Sequence, residues 1–315
     1  MILFREVFVS NKIFRAVSIV FICLAVLFCS ILLFSLHQNK DIIVSQYAIG
    51  TTQSLNFVLI SDLHREEFGK ANELLVERVR AQSPDVIFIV GDMLESDCST
   101  DEVESYFCTL SNLVEIAPVY CSYGNHDYTA LSCGIMDFEE KTMGIRERLE
   151  QSGAVFLERE YVDTVINGEA LRIGGLYDLA FDASEFGMED KCGAGFYATD
   201  EDLSARFAFL TDFCDTSSYK IMLSHRPDSF IFGDASSRWN IDTVLCGHTH
   251  NGVIALPLVG ALLIPDQGFF PKYDKGVFDL NGTTMIICGG LAGWHWIPRI
   301  LNPPEIVSVG FSTHT

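Results

Sequence analysis

Positive charge is scarce in this chain: 21 Lys and Arg stand against 42 Asp and Glu in 315 residues, a formal net charge of −21. A surface of that sign repels a nucleic-acid backbone, and no basic stripe reverses it locally, which argues against a nucleic-acid partner. An anionic substrate then needs a local attractor, and a pair of divalent cations supplies one. Also missing is any CxxC spacing among the ten cysteines, which argues against a thiolate zinc site. Cys23 and Cys29 fall in an apolar N-terminal run. Cys121 and Cys246 fall in apolar strand-like segments, where a small buried thiol is the simplest reading. Repeats and low-complexity tracts are absent, and 49% hydrophobic content suffices for one large core.

Charge of either sign disappears between Ala16 and Leu36, about the 20 residues that a helix needs to cross the hydrocarbon layer of a bilayer. A cleaved signal peptide would have an apolar core of about 7 to 15 residues before a small-residue cleavage site. Ser35-Leu36-His37 is a poor site of that kind, and Phe28 is too bulky for lipoprotein processing ahead of Cys29. An uncleaved anchor is the expectation. Arg5, Lys12 and Arg15 precede the span and Lys40 follows it, a bias that puts the N-terminus in the cytoplasm and the remaining chain outside. A domain on the cytoplasmic face is the alternative. The expected organisation is a stub and anchor over 1–40, then one catalytic domain over 41–315.

What the rest of the chain does contain is one pattern repeated five times, an apolar strand that ends in a polar cluster. Phe57 to Ile60 leads into Ser61-Asp62-Leu63-His64, Val86 to Val90 into Gly91-Asp92, and Pro118 to Tyr123 into Gly124-Asn125-His126-Asp127. Ile221 to Leu223 leads into Ser224-His225, and Ile241 to Cys246 into Gly247-His248-Thr249-His250. Between the strands, the periodicity predicts helices over Lys70 to Ala81, Glu102 to Leu113, Asp137 to Ser152 and Asp200 to Phe213. Strands alternating with helices predict a layered α/β sandwich, with the polar clusters converging at the carboxyl ends of the strands. Short strands are expected at Ala154 to Leu157, Val162 to Ile166 and Leu171 to Gly174, and strand and turn from Val253 to Val309. The acidic stretch Asp178 to Thr199 is read as a lid or a disordered insert.

Five clusters in this order resemble the calcineurin-like metallophosphoesterase family. The run Gly268 to Gly276 and the closing Asn302-Pro303-Pro304-Glu305-Ile306 resemble a bacterial membrane-associated or exported branch of it. The resemblance spans Leu55 to the C-terminus and implies an α/β/β/α sandwich. It implies that Asp62, His64, Asp92 and His250 bind one metal and that Asp92, Asn125, His225 and His248 bind a second, with Asp92 shared. It also makes His126 the residue that protonates or stabilises the leaving-group oxygen, with Asp127 orienting the loop or that ring. A donor set of carboxylates, imidazoles and one amide suits two Mn²⁺ or Fe ions, with Zn²⁺ as a further option.

The expected activity is hydrolysis of a phosphomonoester or phosphodiester by metal-activated hydroxide, on a substrate that can be lipid-linked. The alternatives are a pyrophosphatase acting on a lipid-linked or nucleotide-sugar lipid precursor, and a scaffold without activity; a scaffold should have lost ligands or His126. After the His-Thr-His cluster this branch usually continues Gly-Gly-Gln, whereas Asn251, Gly252 and Val253 stand here. Asn72 matches an Asn of this branch and is equally suited to capping a helix. Gly91, Gly124 and Gly247 are read as permitting tight turns. Trp294, His295 and Trp296 are read as surface packing or as a substrate or interfacial contact.

Overall fold

The computed structural model describes residues 2–132, 138–176, 200–233, 235–265, 267–294 and 297–313. Two six-stranded sheets face each other. The first has the order β1 (Ile43–Thr51), β16 (Glu305–Thr313), β2 (Leu55–Ile60), β3 (Val86–Val90), β4 (Val119–Ser122) and β5 (Val155–Phe156); its neighbours are parallel except β16 and β2. The second has the order β14 (Gly276–Leu280), β15 (Thr283–Ile287), β9 (Thr243–Cys246), β8 (Tyr219–Ser224), β7 (Glu169–Leu176) and β6 (Glu160–Ile166), parallel from β15 to β7 with an antiparallel strand at each edge.

The apolar strand runs are continuous because both faces of each sheet are covered. Alternate residues go opposite ways. Phe57, Leu59, Phe88, Val90, Ile221, Leu223 and Leu245 meet between the sheets. Val58, Ile60, Ile87 and Ile89 instead pack with Leu75 and Val79 of α2 (Glu73–Arg80) and with Val103 and Leu110 of α3 (Thr100–Val114). On the far side Met222, Val244, Met285 and Ile287 pack with Leu210 and Phe213 of α6 (Asp200–Cys214). The result is the expected α/β/β/α order of layers. The helices α4 (Asn125–Ser132), α5 (Phe138–Glu150), α7 (Asp228–Ile231) and α8 (Ala235–Arg238) complete the connections.

Departures from expectation are local. The helix expected over 70–81 breaks at its start, because Ala71 and Asn72 adopt left-handed backbone (φ 49° and 58°). Asn72 does not cap α2. Its buried side chain accepts from the Phe68 amide at 3.0 Å and donates to Thr109 Oγ1 at 3.0 Å, tying the preceding loop to α3. Helix α3 starts two residues earlier than expected, because Ser99 and Glu102 form a reciprocal capping box. The segment 178–199 and residues His295 and Trp296 lie outside the described residues.

Ahead of both sheets runs α1 (Ile2–Gln38), of which Phe14–Gln38 is long and apolar enough to cross a membrane by length and composition. Its last turns are fastened to the sandwich: Ser35 is buried and its Oγ accepts from the Leu301 amide at 3.0 Å, while Asn39 Nδ2 donates to the Arg299 carbonyl at 3.0 Å.

The inter-sheet core turns on Phe57, whose ring stands edge-on to Phe88 (5.2 Å between centroids) and to Phe311 (5.1 Å). Phe57→Ala leaves a cavity between two sheets that cannot both collapse onto it, so chemical denaturation should record a loss of about 3–5 kcal/mol. A loss under about 1 kcal/mol would mean that the sheets are not packed through this residue.

Candidate active site

The parallel strands of both sheets end at one edge of the sandwich. There β2, β3 and β4 deliver Asp62, His64, Asp92, Asn125 and His126, while β8 and β9 deliver His225, His248 and His250. Several of these residues sit in left-handed backbone: φ is 57° at Asp62, 49° at His64, 51° at Asp92, 68° at His248 and 48° at His250. Such conformations are uncommon outside glycine and gather at functional sites. Here they turn each side chain back across the strand end.

The segments that carry them are cross-tied through the carboxylates of Asp62 and Asp92. The His126 amide donates to Asp92 Oδ1 at 2.7 Å, and the His248 amide donates to both oxygens of Asp62 at 3.2 Å. Ser61 Oγ also donates to Asp62. Glycines make room for these contacts, though only Gly91 does so through its backbone, at φ 87°. Gly124 and Gly247 are needed for close approach instead. A Cβ on Gly124 would lie 2.2 Å from Asp92 Oδ1, and one on Gly247 would lie 1.8 Å from Ser61 Oγ and 2.7 Å from Asp62 Oδ2.

Three groups of donor atoms lie within 4.8 Å of one another: Asp62, His64 and His250; Asp92, His225 and His248; and His64, Glu95 and His126. Asp92 Oδ2 is 3.0 Å from His225 Nε2 and 3.8 Å from His64 Nε2, and Asp62 Oδ1 is 3.4 Å from His250 Nε2. These separations are short, yet His64 Nε2, His225 Nε2 and Asn125 Oδ1 are buried without a hydrogen-bond partner. Buried polar atoms left so are costly unless something else satisfies them. The donors are close to one another without being aligned as hydrogen bonds, as ligands around a common cation are.

The opposite ring nitrogens are fixed by backbone: His225 Nδ1 pairs with the Val90 carbonyl at 2.7 Å and His250 Nδ1 with the Ala292 carbonyl at 2.9 Å. Those bonds leave Nε2 of each ring toward the carboxylates of the cluster. Burial pushes His250 down to about 4, leaving it neutral at pH 7. Burial works in the same direction on His225, but Asp92 and Asp62 outweigh it and hold the ring up at about 9. A cation arriving there displaces the proton. Hard carboxylate oxygens, imidazoles and one amide oxygen thus fit divalent cations by donor chemistry and by their unsatisfied atoms.

Glu95 is the residue that the sequence reading missed. Its buried carboxylate contacts His126 Nδ1 and lies 3.2 Å from His64 Nδ1. Burial raises its pKa, but hydrogen bonds with His126 and His64 hold it well below the usual carboxylate range. Burial lowers His126 in turn, and the Glu95 hydrogen bond and the Asp92 charge raise it overall. Ser96 Oγ also lies 3.1 Å from His126 Nδ1. The only signal in the sequence was an acid three residues after Asp92.

Asp127 accepts from the Leu94 amide at 2.8 Å and from the Gly124 amide at 2.9 Å, tying the segment after Asp92 to the start of α4. Burial and the nearby Asp92 raise its pKa to about 6. Asn251, at the departure from Gly-Gly-Gln, donates to Asn302 Oδ1 at 2.8 Å while Asn302 donates to the His250 carbonyl at 2.9 Å, so the substitution braces a ligand loop.

A layered α/β sandwich with carboxylates and imidazoles converging at its strand ends defines a metal-dependent class of protein. The family model for calcineurin-like phosphoesterases matches residues 55–252, more than half of the sequence. The chain belongs to that family. It is 29% identical to an uncharacterized metallophosphoesterase of Campylobacter jejuni over 81% of this chain and 58% of the relative, so it spans less than two thirds of that protein. It is 24% identical to the uncharacterized metallophosphoesterase YkoQ of Bacillus subtilis over 76% of this chain and 79% of the relative. It is 28% identical to the phosphodiesterase YaeI of Escherichia coli over 69% and 66% of the two chains.

Because the Gly247 contact is with Asp62 and its hydroxyl partner, Gly247→Ala should displace that carboxylate. Elemental analysis after Mn²⁺ saturation should find cation binding reduced. Gly144→Ala, where a Cβ meets nothing within 4 Å, should keep the full complement. Equal metal content in both variants would contradict the placement of Asp62.

Proposed function

We propose that this chain is a membrane-anchored hydrolase of phosphomonoesters or phosphodiesters that holds two divalent cations. Asp62, His64, Asp92 and His250 hold one, and Asp92, Asn125, His225 and His248 hold the other. The observation that carries this reading is the position of Asp92, whose Oδ2 is 3.0 Å from His225 Nε2 and 3.8 Å from His64 Nε2, imidazoles of two different donor groups. The name of the Escherichia coli relative, a phosphodiesterase, supports the substrate class. Mn²⁺ or Fe suits the donor set, with Zn²⁺ as the further option. When bound, the cations supply charge neutralisation at the phosphoryl group and a more acidic water.

The chain's own residues supply the rest. His126 is the proton donor to the leaving group: its side chain is 34% exposed where that of His225 is 0%, so it faces the opening while the ligands stay behind it. Its Nδ1 is held by Glu95 and Ser96, which leaves Nε2 for the substrate. The negative Glu95 keeps the ring protonated to higher pH, the state a general acid needs. Asp62 and Asp92 are held in place by the amides of His248 and His126, so the charges are positioned before a substrate arrives. The anchor is α1, and the Arg5, Lys12 and Arg15 bias supports a catalytic domain outside the cytoplasm.

Three variants test this assignment on a panel of phosphoesters with added Mn²⁺. His126→Ala should lower turnover of alkyl esters by about 10²- to 10⁴-fold with both cations retained, and by less on nitrophenyl esters, whose leaving group needs less protonation. Asp92→Ala should lose cations and activity together. Glu95→Gln removes the charge that raises His126, so the alkaline limb of the pH profile should move to lower pH. Wild-type turnover of alkyl esters by His126→Ala would refute the role, and an inert wild type across the panel would favour a scaffold.

A further inference from the structure

We propose that the face beside the end of α1, formed by two short hairpins, lies in the interfacial layer of the bilayer that α1 crosses. This rests on the reading of α1 as an anchor. The hairpins are β10 (Ala255–Leu256) with β11 (Gly260–Ala261), and β12 (Leu263–Ile264) with β13 (Gly268–Phe269).

They are joined to the anchor by a succession of hydrogen bonds. Ser35 and Asn39 of the last turns of α1 and the residue after it bind Leu301 and Arg299. Ile300, between those two, exchanges bonds with the hairpin stem: Ala255 donates to Ile300 and Ile300 to Val253, each at 3.0 Å. Leu262 then donates to Ile254 at 2.9 Å, and Phe270 to Leu262 at 3.0 Å. The plane in which the apolar part of α1 sits is therefore passed on to both hairpins.

Large apolar side chains are exposed on both hairpins: Leu258 at 109% and Val259 at 58% in the turn of the first, and Phe269 at 69% and Phe270 at 59% at the end of the second strand of the second. Single exposed apolar residues are ordinary, but four within one pair of adjacent hairpins mark an interaction surface. Bilayer lipid is the occupant that the charge distribution favours. Residues 253–270 carry one charged residue, Asp266, in a chain that is 20% charged with a net charge of −21. An acidic surface is driven off anionic headgroups, so the face that can approach them is the one poorest in acids. An exposed Lys, Lys272, follows Phe270 after one residue, an aromatic and cationic pairing suited to the boundary between acyl chains and headgroups. Beside the end of α1 a groove of ≈ 430 Å³ is lined by Leu36, Phe68, Trp294 and Ile297 together with Lys40 and Glu66. The stem begins at Val253, three residues after His250, so the lipid-facing surface is continuous in sequence with the cation cluster.

The test uses the full chain in phosphatidylethanolamine and phosphatidylglycerol vesicles. Benzoylphenylalanine is placed singly at Leu258, Phe270, Phe28 and Val165, and intact mass is read after irradiation. Val165 is an exposed control on β6, 68% exposed, at the edge of the second sheet opposite β14. Phospholipid adducts are expected at 258, 270 and 28 and not at 165. An adduct at 28 with none at 258 and 270, or covalent dimers at 258 and 270, overturns the proposal while the anchor stands. No adduct at 28 removes the anchor reading and this proposal with it. Adducts at 165 as abundant as at 270 overturn the selectivity on which it depends.

Discussion

A carboxylate with 1% exposure at the junction of two sheets is the constraint on which this structure turns. Taking an ionised Asp92 out of water costs several kcal/mol unless opposite charge or strong donors surround it. Burial alone would raise its pKa, and His225 with the other imidazoles holds it well below the usual range. Each neighbour answers that requirement. The His126 amide meets one oxygen, imidazoles from both sheets face the other, and Gly124 leaves the space that any side chain would fill. The left-handed backbone at Asp92 and at the ligands around it is strain that the packed sheets beneath them hold in place.

The rigid and adaptable parts of the molecule divide along the same line. The strands beneath the cluster are buried on both faces, so their ends move little relative to one another. His126 lies in the first turn of α4, which Asp127 ties back to the Gly124 amide. Glu95 and Ser96 meet its ring at Nδ1, apart from its amide, which bonds Asp92. At the far end of the His248 loop, Asn251 and Asn302 brace His250 against the segment on which α1 is docked.

The layers and the convergence of carboxylates and imidazoles at the strand ends were legible in the sequence because two signals coincided. Runs such as Val86 to Val90 are apolar without alternation, as strands covered on both faces must be, and each ends abruptly in residues that only a site can use. Glu95 was not legible: an acid in a loop is normally solvated, and only folding brings it against two imidazoles. Asn72 was misjudged as a capping candidate since its left-handed backbone cannot be read from residue type. The roles of Gly124 and Gly247 depend on which side chain lies opposite, which is a tertiary fact. The small hairpins from Ala255 onward were readable only as strand and turn, because two-residue strands carry no periodicity.

The central claim is that one carboxylate, Asp92, serves two cations at once. Electron paramagnetic resonance of the full chain loaded with two equivalents of Mn²⁺ tests it most directly. Two ions sharing a carboxylate should give a broad, exchange-coupled spectrum that collapses to an uncoupled signal at one equivalent or below. A spectrum that stays that of isolated, six-line Mn²⁺ at two bound equivalents would contradict the shared ligand and the two-cation reading built on it.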